Sequence, residues 1–161
     1  MMQILALDLA TKTGWATRLS TPPLGTWTLA TPKEIKTWGV SRLTRRRDPR
    51  VARLAERVSN FCGKVNAIII EDVQFASSTF QVQLWSSLRA AVWLACRDCD
   101  IVFEAVPVTS LKKFATGAGN ADKQMMMRAA QKEFPNLKFD DNAADAYHLL
   151  CWAEKNLSRI I

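Results

Sequence analysis

The sequence has no apolar run of about 18 residues, the length that a membrane-spanning helix requires. Its opening, MMQILALDLATKTG, lacks the basic lead and long apolar stretch of a secretion signal. Both absences point to a cytoplasmic chain with no membrane partner. Histidine is nearly missing, with His148 the only one. Cysteine is sparse, and in such a compartment Cys62, Cys96, Cys99 and Cys151 are expected as reduced thiols rather than a disulfide frame. Cys96 and Cys99 form a C-x-x-C, but a zinc site wants a second pair at a suitable distance, so zinc is not expected. Acids are also short: 15 Asp and Glu stand against 22 Lys and Arg, a net charge of +7, with a pI near 9.5. Such a balance suits either a polyanion-binding surface or a merely soluble basic protein. Apolar residues at 48% and charged residues at 23% exclude a disordered or fibrous chain. With 161 residues and no repeat, low-complexity tract or linker, one domain spanning residues 1–161 is expected.

Gln3 to Leu9 is a short apolar run with one acid near its end and reads as a buried strand. Thr13-Gly14 reads as a turn, followed by strand candidates at Trp15 to Leu19 and Gly25 to Leu29, with Thr21-Pro22-Pro23 as the breaker between them. Three antiparallel strands at the front follow. Residues 32–47 are polar and poorly patterned, so no regular element is assigned there. Asp48-Pro49 opens a helix reaching about Val65, with Leu54, Val58 and Phe61 on one face. Ala67 to Ile70 is a second apolar strand ending in acids, Glu71 and Asp72. Ser78 to Gln81 matches a capping box for a helix to about Arg97, and Ile101 to Val106 is a further strand stopped by Pro107. Thr109 caps a short helix through Phe114, Gly117 and Gly119 break it, and helices from Asp122 and from about Asp140 complete the chain. Grouped strands followed by alternating strand and helix imply an α/β fold, a mixed sheet covered by helices.

The acids show a pattern. Asp8 and Glu71 each end a buried strand, the place where open α/β sheets hold their ligands. Asp141 and Asp145, four apart on the last helix, share one face. Four carboxylates converging are unfavourable unless a cation screens them. Magnesium or manganese suits hard oxygen ligands, and a pair of such ions activates water and steadies the leaving oxygen in phosphodiester hydrolysis. Taken singly, each acid is equally a turn, surface or first-turn residue; the set of four favours a metal site holding two ions.

Four segments, ILALDLATKTGWA, IIIEDVQF, VPVTSLKKFATGAGNADKQMM and DDNAADAYHLL, in this order and spacing, resemble the RuvC family of Holliday junction resolvases within the ribonuclease H-like superfamily, especially its small phage-type members. The resemblance implies a mixed five-stranded sheet, a homodimer, divalent magnesium or manganese, and paired nicks across branched DNA at a four-way junction. By position, Asp8 and Glu71 match the first two catalytic, metal-binding acids and Asp145 the last. The bacterial pattern has two aspartates three apart on the terminal helix, whereas here Asn142 stands three before Asp145. The fourth role therefore goes to Asp141, with Asn142 as a neutral alternative. Phe75 follows the second acid one residue later than the aromatic that unstacks junction bases in bacterial members; both a wedge and a buried strand-end aromatic fit it.

Cations concentrate at Arg42, Arg45, Arg46, Arg47, Arg50, Arg53 and Arg57, where arginine suits phosphate oxygens. Lys112, Lys113 and Lys123 flank the Gly117-Ala118-Gly119 break, and in the resembling family basic residues of this segment touch the junction backbone. Arg45, Arg46, Arg47, Arg50, Phe75, Lys112, Lys113 and Lys123 are thus the expected DNA contacts. Trp85, Trp93, Leu84, Leu88 and Val92 lie on the helix that, by resemblance, contributes to a dimer interface; an ordinary buried face is the alternative.

The reading that follows is a metal-dependent, structure-selective endodeoxyribonuclease acting on four-way junctions. Its alternatives are a related nuclease acting on flaps, R-loops or RNA, and a junction-binding module without catalysis. An actin-like sugar kinase also begins with a strand aspartate, but its two similar lobes do not fit in this length.

Overall fold

In the computed structural model, which describes residues 2–39, 48–73 and 77–157, side-chain alternation along each strand sorts the apolar residues onto two faces of one sheet. Strands β1 (Ile4–Asp8), β2 (Lys12–Thr17), β3 (Leu24–Thr28), β4 (Ala67–Asp72) and β5 (Val102–Pro107) form a five-stranded sheet in the order β3-β2-β1-β4-β5. The β1–β2 and β2–β3 pairs are antiparallel, and β1–β4 and β4–β5 are parallel. This is the mixed sheet expected, with β1 and β4 side by side. Both are covered on two faces, which is why they read as unbroken apolar runs: Leu5, Ala6 and Leu7, and Ala67 through Ile70, are fully buried.

Helices α1 (Pro32–Trp38), α2 (Pro49–Ser59), α3 (Thr79–Asp98), α4 (Val108–Thr116), α5 (Lys123–Glu133) and α6 (Asp141–Asn156) accompany the sheet. Leu5, Leu7, Ile68 and Ile70 pack with Leu54 and Val58 of α2 and Leu88, Val92 and Cys96 of α3. Ile4, Ala6, Ala16, Leu24, Ala67 and Ile69 face the other way, onto Leu111 of α4, Met126 and Ala130 of α5 and the alanine-rich face of α6. Asp8 and Glu71 continue this second set, so their positions in the strands turn both acids toward α6.

Most helix starts follow the sequence. Asp48 caps α2 with Pro49 in its first turn, Asp122 accepts from Met125 N at the start of α5, and Asp140 accepts from Ala143 N at the start of α6. Ser78 caps α3, but the Gln81 side chain reaches back to Ser77 rather than to the cap residue.

Several expectations need correction. Thr13 and Gly14 are not a turn; they lie inside β2, and the reversal falls at Leu9 to Thr11, where Thr13 Oγ1 donates to Ala10 O. Part of the stretch assigned no element forms α1, opened by a reciprocal capping box between Thr31 and Glu34. Helix α2 ends at Ser59 instead of Val65, and α4 begins at Val108 with no side-chain cap, so Thr109 does not open it. Cys62 and Cys99 are joined in a disulfide, while Cys96 and Cys151 are free. This overturns the expectation of reduced thiols, which rested on the missing secretion signal; the two cysteines stand 37 positions apart and are brought together where the chain following α2 meets the end of α3. Among the described residues no helix is long and apolar enough to cross a membrane.

Candidate active site

A single row of residues crosses the sheet. Thr26 on β3 pairs with Gly14 on β2, and Gly14 pairs with Asp8 on β1. The β1–β4 register places Leu7 opposite Ile70, so Asp8 and Glu71 follow side by side. The start of α6 lies over this row. A Cβ on Gly14 would stand 1.8 Å from Asn142 O and 2.3 Å from Asn142 C, which places the helix backbone directly against the strand. Thr26 Oγ1 donates to the cap carboxylate of Asp140. The first turns of α6 therefore carry Asp141 and Asp145 beside the two strand acids.

Electrostatics confirm that the acids feel one another. Burial raises the Asp8 carboxyl well above the usual range, and the charges of Glu71, Asp145 and Asp141 raise it further, with Lys123 opposing. Glu71 is pushed up to about 7 by burial and then by Asp145, against the pull of Lys112. Asp145 reaches about 6 through burial and the charge of Asp141, opposed by Lys123 and Lys112. Asp141 moves the other way: Lys123 donates to it and holds its carboxyl low. Three acids thus share a partly buried, mutually repelling patch, and the fourth has a lysine partner. Among the described residues, no three His, Cys, Asp or Glu groups are gathered tightly enough to hold a metal ion as they are placed.

The expected cations divide. Lys112 and Lys123 border the acids, as their opposing charges show, and Lys113 is exposed on the same helix as Lys112. Arg50 does not face outward as expected of a phosphate contact. It is 8% exposed, its Nη2 lies 2.7 Å from Asp48 Oδ2, and its Nη1 donates to Thr11 Oγ1 in the β1–β2 turn. A cation in a basic stretch is drawn inward here because the cap acid of its own helix neutralises it. Arg53 is engaged as well, donating to Leu29 O and Glu34. Arg42, Arg45, Arg46, Arg47 and Phe75 lie outside the described residues.

On α3 the expected interface residues split in the same way. Leu88 and Val92 are fully buried in the chain's own core, whereas Trp93 is 50% exposed and Phe80, Val82 and Leu94 are also open. A long groove of about 1350 Å³ runs between α2 and α3 and reaches the Leu9–Lys12 turn. A smaller groove of about 430 Å³, lined by Lys123, Gln124, Met127, Arg128 and Asp141, opens beside the acids.

Sequence reasoning missed Gly14, Thr26 and Thr11. The glycine carried a signal, but a glycine marks a turn and a close backbone approach alike. The two threonines carried none, since their partners Asp140 and Arg50 are remote in the chain.

No protein-family model matches the sequence, and no curated protein matches it. Solved structures do resemble it. RuvC of Thermus thermophilus in complex with a Holliday junction substrate superposes with a TM-score of 0.69 at 16% identity, covering 92% of this chain and 90% of that one. Another structure of Thermus thermophilus RuvC gives a TM-score of 0.65 at 15% identity, with 96% of each chain covered. The yeast mitochondrial Holliday junction resolvase Ydc2 gives 0.57 at 12% identity, over 92% of this chain and 75% of that one. The mixed five-stranded sheet flanked by helices matches the RuvC-type, ribonuclease H-like fold.

Proposed function

We propose that this protein is a divalent-metal-dependent endonuclease that resolves four-way DNA junctions. The observation that carries the reading is the convergence of Asp8, Glu71 and Asp145 at the carboxyl ends of β1 and β4 and the start of α6, each held above the usual carboxylate range. Half-buried carboxylates that repel one another are unfavourable alone, and their hard oxygens suit magnesium or manganese. Asp8, Glu71 and Asp145 would hold the ions, with Asp141 joining as the fourth acid on leaving Lys123. Bound there, two such ions supply an activated water and charge stabilisation at a phosphodiester.

The chain's own groups do the rest. Lys112 and Lys123 stand at the rim of the acids, where a phosphate would meet them, and Lys113 extends the basic edge. Such contacts position a backbone without reading sequence. Resolution of a junction requires two nicks related by symmetry, so the active species is a homodimer, and the open Trp93 and Leu94 of α3 offer apolar surface for it.

The test is cleavage of an immobile four-way junction, a flap and an RNA–DNA hybrid side by side, with magnesium or manganese, by wild type and by Asp8→Asn and Asp145→Asn. Paired nicks in the junction, lost in both variants, support the proposal. Preferential cleavage of flap or hybrid moves the activity to another substrate of the same chemistry. Tight junction binding without cleavage by the wild type assigns a binding module, the alternative that the neutral Asn142 leaves open.

A further inference from the structure

The row Thr26–Gly14–Asp8–Glu71 does more than carry two acids. Its β2 and β3 members touch the first turn of α6 at separate points: Gly14 against the backbone of Asn142 and Ala143, and Thr26 against the cap carboxylate of Asp140. Asp140 Oδ1 also accepts from Ala143 N at 3.0 Å, so the threonine hydroxyl orients the group that caps the helix. The residues it touches bracket Asp141 and precede Asp145 by one turn.

We propose that Gly14 and Thr26 are positioning residues of the acidic site, forming a seat that sets how far Asp141 and Asp145 stand from Asp8 and Glu71. A methyl at Gly14 meets helix backbone, Asn142 O at 1.8 Å and Ala143 N at 3.0 Å, not a side chain able to swing away. Strand β2 cannot retreat, because it is paired on both sides by β1 and β3. The helix start must therefore rise by about 1 Å or more to restore ordinary contact. A misplacement of that size among reacting groups costs about a hundredfold in rate. The seat is thus tuned for closeness, with the smallest residue exactly where the acidic helix crosses the strand that faces Asp8.

This inference rests on the nuclease reading above, and the experiment separates the two. Gly14→Ala, Thr26→Val, Thr26→Ser and Ala16→Val are compared for manganese-dependent junction cleavage, junction affinity without divalent ions, Mn2+ affinity by calorimetry, and melting temperature. Ala16 lies beneath α6 on the same face of β2, one step farther from the acids, so its enlargement reports generic overpacking. Thr26→Val is expected to slow cleavage and weaken Mn2+ binding about tenfold with junction affinity unchanged, and Thr26→Ser to restore both. Gly14→Ala is expected to slow cleavage about a hundredfold while still binding junction. Ala16→Val is expected to lower the melting temperature without a comparable loss of rate. Wild-type rates in Thr26→Val and Gly14→Ala, or equal rate losses in Ala16→Val at equal melting temperature, overturn the seat. Should Gly14→Ala not fold, the Thr26 pair decides. A wild type that binds Mn2+ without cleaving overturns the nuclease reading alone, and Mn2+ affinity then judges the seat. One that neither binds nor cleaves overturns both.

Discussion

Lys123 Nζ stands 2.7 Å from Asp141 Oδ2, so the acid at the start of α6 already has a cation of its own. The lysine side chain is 81% exposed, and a pair so open to water contributes less than about 1 kcal/mol to folding. Lys123→Met should therefore leave stability nearly unchanged in a denaturant melt. It also removes a positive charge from an acidic cluster, so Mn2+ affinity measured by calorimetry should rise about threefold or more. A fall in that affinity would mean that the lysine holds Asp141 in its ligating position.

Glu71 at about 7 and Asp145 at about 6 bind protons in the folded chain that the unfolded chain has released. Linkage then gives the sign. The stability these groups contribute is fully present below their unfolded values, near 4, and is lost as pH rises through about 6 to 7. Thermal melts of metal-free protein should show a melting temperature that falls from about pH 5 to about pH 8. Mn2+ should flatten the slope, since ion binding displaces the protons. Asp145→Asn should raise the melting temperature at the alkaline end while abolishing cleavage, and a melting temperature that climbs with pH would contradict the account.

Arg50 and Asp48, with side chains 10% and 14% exposed, form a nearly dry pair. Replacing Arg50 by Ala leaves the Asp48 carboxylate without its cation and should cost about 3 kcal/mol or more in chemical unfolding. Because the guanidinium faces Thr11 instead of solvent, the salt dependence of junction binding should not change in a conservative Arg50→Lys variant. Lys113→Ala, at an exposed cation, should reduce the slope of log affinity against log salt by about 1. Titrations at several salt concentrations check both.

The disulfide between Cys62 and Cys99 spans 37 positions. Chain-entropy arguments assign such a closure about 3 to 4 kcal/mol. Reduction, or Cys62→Ser with Cys99→Ser, should lower the melting temperature by about 10 °C for a chain of this size. Melts with and without a reductant measure it, and an unchanged midpoint would assign the bond no role in stability.

How much of this was legible in the sequence depended on how local the signal was. The strands β1 and β4, with acids at their ends, were readable because burial on two faces leaves an unbroken apolar run. The cap Asp48 and the helix starts near Asp122 and Asp140 were readable because each signal acts within three residues. Helix α1 was not, since none of its residues is buried and no apolar period marks it, although its capping box was present in Thr31 and Glu34. Thr13-Gly14 reads locally as a turn because the glycine's partner, the backbone of Asn142, is more than a hundred positions away. Arg50 reads as a DNA contact because a run of arginines carries no sign of which one turns inward.

The amino-acid order alone determined most of the strands and helices, α1 and the start of β2 excepted, and it placed a carboxylate at the end of each of two central strands. Those are consequences of local propensity, capping and apolar period. Only the tertiary structure decided that the two strands lie side by side, that α6 settles on the glycine opposite Asp8, that Lys123 takes Asp141, and that Arg50 faces Asp48 and Thr11. Each of these depends on contact between remote parts of the chain, where burial and the charges of neighbours set the chemistry of a residue, and no local pattern encodes them.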